Sequence, residues 1–321
     1  MRKIAFLFPG QGSQFAGMGK DLYLKRPGIR SIFETASKVT GLDVESLCFD
    51  GPLERLTETV NLQPAITTVN LSCLAVFREE GIAPDIVAGH SLGEYSALCA
   101  AGVISFEDTF RLVSERGKLM QREAERHPGG MLAAVGLDIE STRNLLDKVK
   151  TEGVCAVANH NAEKQIVITG ERKALEAVSG LISANGGKAI PLNVSGPWHS
   201  PLMQGAADSF RSFLREINLS NPSIPVLFNV TGLQIWDPEE IREIMSRQIC
   251  SSVLWYDTMR RMIAGGVSDF VEVGPKKVLT GLLKKTLPAG GDFRLHQADE
   301  LDGLLTIASR IKALGACHEI T

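Results

Sequence analysis

The sequence has no C-x-x-C pair. Its six cysteines, Cys48, Cys73, Cys99, Cys155, Cys250 and Cys317, are scattered along the chain. That spacing excludes a disulfide frame or a zinc site and predicts reduced thiols, no bound metal and a cytoplasmic setting. Charge of one sign is not in excess either: 34 Lys and Arg stand against 37 Asp and Glu, for a net −3. Such a balance gives no electrostatic grip on bulk nucleic acid or anionic lipid. No uninterrupted apolar run reaches the ~20 residues that cross a membrane. The run behind Arg2-Lys3 stops at Pro9-Gly10, too short for a signal peptide. Internal repeats and low-complexity stretches are absent, which excludes a repeat architecture. What remains is 321 residues, 44% hydrophobic, 6% aromatic and 22% charged, enough for one large core or two smaller ones.

Short β-rich runs alternate with helical patterns, which predicts an α/β fold with a mostly parallel sheet. "KIAFLF" (3–8) and "DIVAG" (85–89) are buried-strand runs. "QPAITTVNLSCLAVFREEG" (63–81) is a helix with Pro64 near its start and Gly81 as its cap. "SFEDTFRLVSERGKLMQREAER" (105–126) opens with Ser105 and Asp108 at capping-box spacing and continues as an amphipathic helix. Between residues 128 and 197 the order becomes β-α-β-β-α-β, the ferredoxin-like unit, bracketed by His127-Pro128-Gly129-Gly130 and Gly196-Pro197. "IPVLFNV" (224–230) and "DFVEVG" (269–274) then resume the strands of the larger unit. The expected organisation is a domain of 1–127 and 198–321 with 128–197 inserted as a small subdomain.

"GHSLG" (89–93) fits G-x-S-x-G, with a strand before it and a helix after it. In a nucleophile elbow the serine sits at the apex of a strained turn, and glycines let strand and helix pass without Cβ clashes. Ser91 is therefore a candidate nucleophile, and the Leu92 N–H can face a developing oxyanion; the alternative is a serine that simply caps a helix. His90, next to it, is read by strand alternation as pointing to the opposite side, in a structural role. His199 lies where the strand from the small unit ends and a new helix begins, either in the mouth of a cleft or on a solvated turn. "FPGQGSQFAGMG" (8–19) fails G-x-G-x-x-G and lacks the phosphate-binding Lys-Ser/Thr. Its use is to offer backbone N–H groups to an oxyanion, or to make a tight turn. Arg116 shares a helix face with Leu112 and Leu119, so it either snorkels to solvent or is held for a partner.

Together these segments resemble the bacterial malonyl-CoA:acyl carrier protein transacylases and the related acyltransferase domains of polyketide and fatty acid synthases. The carriers are "FPGQGSQ" (8–14), "GHSLGEYSA" (89–97), the Arg116 helix, "ANHNAEKQIVITG" (158–170), "SGPWHS" (195–200), "RQI" (247–249) and "EVGPKKVLTGL" (272–282), in the family's order over nearly the whole chain. The resemblance implies a hydrolase-like α/β domain carrying a ferredoxin-like insertion. It implies Ser91 as the acylated nucleophile, His199 as its base, and backbone N–H groups of Gln11 and Leu92 as oxyanion donors. Arg116 would grip the free carboxylate of malonate, and Gln248 would mark the main-chain carbonyl that orients the histidine. The implied reaction is ping-pong malonyl transfer from malonyl-CoA to an acidic acyl carrier protein. No cofactor, nucleic acid or membrane is expected, and the expected state is a monomer. The sequence departs from the family in Trp198, where many relatives have Phe, in Ala162-Glu163 for a common Ser-Pro, and in Leu254 for a frequent arginine.

The rival reading is a serine hydrolase or thioesterase, which usually has an acid between serine and histidine and its histidine near the chain end. Here over 120 residues follow His199. A non-catalytic acyl-CoA-binding regulator is a second rival. For the carrier, Lys276, Lys277, Lys284 and Lys285 form a candidate docking patch, or merely a solvated helix end.

Overall fold

A computed structural model describes residues 2–313 and 315 of the chain; Cys317 and His318 lie outside the described residues. Among the described residues nine strands are present: β1 (Lys3–Phe8), β2 (Ile86–Gly89), β3 (Gly130–Val135), β4 (Cys155–Ala162), β5 (Gln165–Gly170), β6 (Lys188–Pro191), β7 (Val226–Leu227), β8 (Val267–Val273) and β9 (Arg294–Ala298). Five of them form one sheet in the order β7-β2-β1-β8-β9, and every pairing in it is parallel. The other four form a separate antiparallel sheet in the order β4-β5-β3-β6. The α/β class with a mostly parallel sheet is thus as the sequence predicts.

The inner parallel strands are apolar runs because helices cover both faces; every residue of β2 is buried, as is all of β1 after Lys3. Helix Thr59–Glu79 packs into the main core. By length and composition it could span a membrane, yet 89% of its apolar window is buried inside the protein. Its composition therefore reflects a core position. It begins four residues before the expected start, so Pro64 falls inside it. Helix Phe106–Arg126 starts where the capping-box spacing places it, the Ser105 hydroxyl accepting from the Asp108 N–H at 3.0 Å.

Alternation along the antiparallel sheet divides its two faces. Leu132, Ala134, Ile166 and Ile168 pack with Leu145, Val178 and Ile182 from the helices Ile139–Lys148 and Arg172–Ala184, as a separate apolar cluster. Met131, Ala158 and Val167 face the other way and join the main core. The second face of this sheet therefore looks across at the carboxyl ends of β1 and β2.

Three strand boundaries differ from the sequence reading. "KAIPLNV" is strand only through Pro191, because the Val194 N–H turns back to the Leu192 carbonyl at 3.0 Å. "IPVLFNV" keeps only two strand residues, since the chain turns at Phe228 and brings Asn229 under the elbow. Strand β9 was not expected; it is a partly exposed edge strand with no apolar run to signal it.

The elbow is the tightest passage. A Cβ on Gly93 would lie 2.0 Å from the Phe8 carbonyl oxygen, and one on Gly89 would lie 1.9 Å from the Gly93 carbonyl carbon. Both neighbours are backbone and cannot yield. Gly93→Ala is expected to lower stability by about 3 kcal/mol or more, read as the shift in urea midpoint; a shift under about 1 kcal/mol would contradict the packing.

Candidate active site

Ser91 follows β2 with φ +50°, and His199 has φ +59°. Among the described residues only one other non-glycine, Lys276, has positive φ. Such conformations cost about 1–3 kcal/mol each and persist where surrounding contacts enforce them. Here the enforcing contacts are visible: the Ser91 N–H donates to Asn229 Oδ1 at 2.6 Å, and Gln248 Nε2 donates to the Ser91 carbonyl at 2.9 Å. Asn229 Nδ2 in turn donates to the Gly89 carbonyl at 2.7 Å. The serine is held from both sides of its peptide.

Ser91 Oγ lies 2.8 Å from His199 Nε2. Nδ1 of the same ring faces two backbone carbonyls, Gln248 at 2.9 Å and Ser251 at 3.0 Å. Carbonyls only accept, so Nδ1 carries the hydrogen and Nε2 is left as the acceptor for the serine proton. The Gln248 carbonyl belongs to the C-terminal turn of helix Pro238–Gln248, where the macrodipole is negative. No carboxylate is needed to orient the imidazole. Burial, and then the Arg116 charge, push the His199 ring down to about 3, so it is neutral over the physiological range.

Arg116 is 1% exposed and does not snorkel. Its hydrogen-bond acceptors are neutral: Nη1 donates to Gln63 Oε1 at 3.0 Å, and Nη2 donates to Gln248 Oε1 at 3.0 Å and to Ser91 Oγ at 3.1 Å. Among the described residues its Nε has no acceptor and the guanidinium no ion pair, and the Tyr95 ring centre lies 5.5 Å from the guanidinium carbon. A buried cation so placed is costly, and it leaves donor capacity directed at the nucleophile.

These groups open on a cleft between the two sheets. Gly10, Gln11, Ser91, Leu92, Arg116 and His199 line it from the parallel sheet's side, at the carboxyl ends of β1 and β2. Met131, Asn159, Asn161 and Val167 line it from the antiparallel sheet, and Val278, Leu279 and Leu282 close the mouth. All six sequence-predicted residues thus converge: Ser91, His199, Arg116, Gln11 and Leu92 line the cleft, and Gln248 contacts three of them from behind. Of the family departures, Trp198 lines the cleft, whereas Ala162 and Leu254 do not.

His90 departs from the sequence reading. The strand ends at Gly89, so alternation no longer applies, and His90 lies in the cleft wall with Nε2 2.8 Å from Asn161 Oδ1. Asn229, Gln63, Ser251 and Glu94 were missed. For Glu94 and Gln63 a signal existed, a polar residue inside an apolar helix, the same oddity that singles out Arg116. Burial pushes the Glu94 carboxyl up to about 8, against the pull of the Asn229 and Gln248 donors and the Arg116 charge.

A serine and a histidine paired at the carboxyl edge of a parallel sheet define an α/β protein with the geometry for acyl transfer by a serine nucleophile. Comparison narrows this class. The acyl transferase domain family model matches residues 5–300, and the chain belongs to that family. It is 45% identical to a malonyl CoA-acyl carrier protein transacylase of Bacillus subtilis over 287 residues, 89% of this chain and 90% of that protein. An acyl carrier protein S-malonyltransferase from Vibrio cholerae superposes with TM-score 0.90 at 37% identity, covering 95% of this chain and 99% of that one. A malonyl-transacylase solved in complex with a type II PKS acyl-carrier protein gives TM-score 0.92 at 38% identity, covering 96% and 99%.

The downward push on His199 has a direct readout. A base depressed this far stays neutral as pH falls, so ¹⁵N NMR of the imidazole should report a neutral Nδ1–H tautomer without a transition from pH 8 to pH 5. A titration centred near 6.5 would contradict the buried, carbonyl-bound geometry.

Proposed function

We propose that this protein transfers a malonyl group from malonyl-CoA to the phosphopantetheine thiol of an acyl carrier protein, through a malonyl ester on Ser91. The observation that carries the reading is Arg116, a buried guanidinium without an ion pair among the described residues, 3.1 Å from the nucleophile's oxygen. Arginine matches a carboxylate through two parallel hydrogen bonds, which lysine cannot reproduce. In the first half-reaction His199 Nε2 takes the Ser91 proton and Oγ attacks the thioester carbonyl. The N–H groups of Gln11 and Leu92 receive the oxyanion, each worth about 3–4 kcal/mol in the transition state. The CoA thiolate departs with the proton from His199. The carrier's thiol then attacks the serine ester, with His199 again as base, and Ser91 is restored. Transfer wins over hydrolysis only if water is kept from the ester, a task suited to the apolar wall of Met131, Val167, Leu192 and Trp198.

For the architecture, we read 1–127 with 198–321 as a hydrolase-like domain and 128–197 as a ferredoxin-like insertion. The β-α-β-β-α-β order, the strand order β4-β5-β3-β6 and the separate apolar cluster support this. So do the two chain crossings, which lie against each other: a Cβ on Gly129 would fall 2.9 Å from Pro197 Cβ. Ser91, His199 and Arg116 come from one chain, which supports action as a monomer, and we read the setting as cytoplasmic. Lys276, Lys277, Lys284 and Lys285 are exposed and flank helix Val278–Leu283 at the cleft mouth. Their placement supports docking of an acidic carrier there.

Intact-protein mass spectrometry after brief mixing with acyl-CoAs tests the chemistry. Wild type should gain a malonyl adduct and Ser91→Ala none. Arg116→Ala should lose malonyl acylation by about a hundredfold or more, the ~3–5 kcal/mol of a broken buried pair, while retaining acetyl acylation. Malonyl acylation surviving that change would refute the arginine's role. Reversing the four lysine charges should raise the carrier's apparent KM and flatten its salt dependence without altering acylation by malonyl-CoA; an unchanged carrier KM would dismiss the patch.

A further inference from the structure

Glu94 is a buried acid that the reaction above does not use. It lies in the first turn of the helix after the elbow, Gly93–Ala100, and is 1% exposed. Both carboxyl oxygens receive N–H donors: Oε2 from the Asn229 backbone at 2.6 Å, and Oε1 from Gln248 Nε2 at 2.9 Å. Each of these partners is itself bonded to the reacting groups. Asn229 holds the Ser91 N–H and the Gly89 carbonyl through its side chain. Gln248 holds the Ser91 carbonyl through Nε2, Arg116 through Oε1, and the His199 ring through its main-chain oxygen. One carboxyl group is thus a single residue removed from the nucleophile, the base and the cation.

The Gln248 amide is the critical link. A primary amide has two near-isosteric orientations, and only the donors and acceptors around it choose between them. Here Arg116 requires oxygen on one side, and Glu94 together with the Ser91 carbonyl requires nitrogen on the other. With the acid replaced, the carboxyl no longer helps to hold that nitrogen, and the amide can shift about its remaining bond to the Ser91 carbonyl. Any such shift moves the amide oxygen that keeps the guanidinium beside Ser91 Oγ. A neutral amide at position 94 also places an NH₂ against one of two N–H donors. We infer that Glu94 is a positioning residue that, through Gln248 and Asn229, holds Arg116 and Ser91 in register and thereby sets the preference for acyl groups carrying a carboxylate. This rests on the malonyl-transfer reading and deepens it.

The test compares wild type, Glu94→Gln and Glu94→Asp by rapid-quench acylation with malonyl-CoA and with acetyl-CoA, alongside thermal unfolding. Glu94→Gln is expected to slow malonyl acylation by about a hundredfold, the scale of a small misplacement of reacting groups. The malonyl-to-acetyl rate ratio should fall about tenfold or more with it. Glu94→Asp keeps a carboxyl group with shorter reach, so it should slow both reactions and lower the ratio by less than Glu94→Gln does. Simple loosening of the fold would lower both rates in proportion. An unchanged ratio in a folded Glu94→Gln enzyme therefore overturns the inference, whatever its rate. If Glu94→Gln does not fold, Glu94→Asp decides on the same reading: a malonyl-to-acetyl ratio unchanged from wild type overturns the inference, and a lowered ratio supports it. A wild-type enzyme that takes no malonyl adduct would instead sink the function reading itself.

Discussion

A guanidinium enclosed without a carboxylate constrains everything around it. Arg116 satisfies its donors with two side-chain amides and the hydroxyl of Ser91, all neutral acceptors. Such acceptors offset only part of the cost of removing a cation from water. The surrounding electrostatics follow from that choice. Burial first, and then this charge, depress the nearby imidazole, which keeps it neutral and ready to accept a proton. Burial pushes the Glu94 carboxyl up, and this charge, with the Asn229 and Gln248 donors, pulls against that push. An arrangement that is costly when empty becomes selective when filled, because only a ligand with its own negative group completes the set.

The fold supplies the place for this. Parallel strands deliver Pro9, His90 and Gly274 to one edge of the sheet, the place where open α/β sheets bind their ligands. The antiparallel sheet covers that edge with its second face, so the cleft has an apolar wall on one side and the reacting groups on the other. Close backbone passage at Gly89 and Gly93 fixes the turn, and two amide side chains fix the serine within it.

Much of this was legible in the chain. The strand–turn–helix context of "GHSLG", the Ser105 cap and the break in pattern near residue 128 each follow from local chemistry, and the structure bears out the first two. Arg116 stood out because a cation on an apolar stripe demands a reason. His199 was ambiguous by composition, since what distinguishes it is a pair of carbonyls some 50 residues further along. Asn229 carried no sequence signal at all: its value lies in the bend that cuts β7 short, and bends of that kind are set by tertiary contact. His90 escapes the alternation rule because its strand ends one residue earlier, at Gly89.

The histidine's orienting acceptors belong to the main chain. Where a carboxylate does this work, one codon change can erase it. Here no side-chain replacement deletes a carbonyl, and the function can be lost only by shifting the end of a helix. The residues at 248 and 251 are therefore free, for this one task, to drift, and the imidazole's alignment is inherited with the path of the backbone.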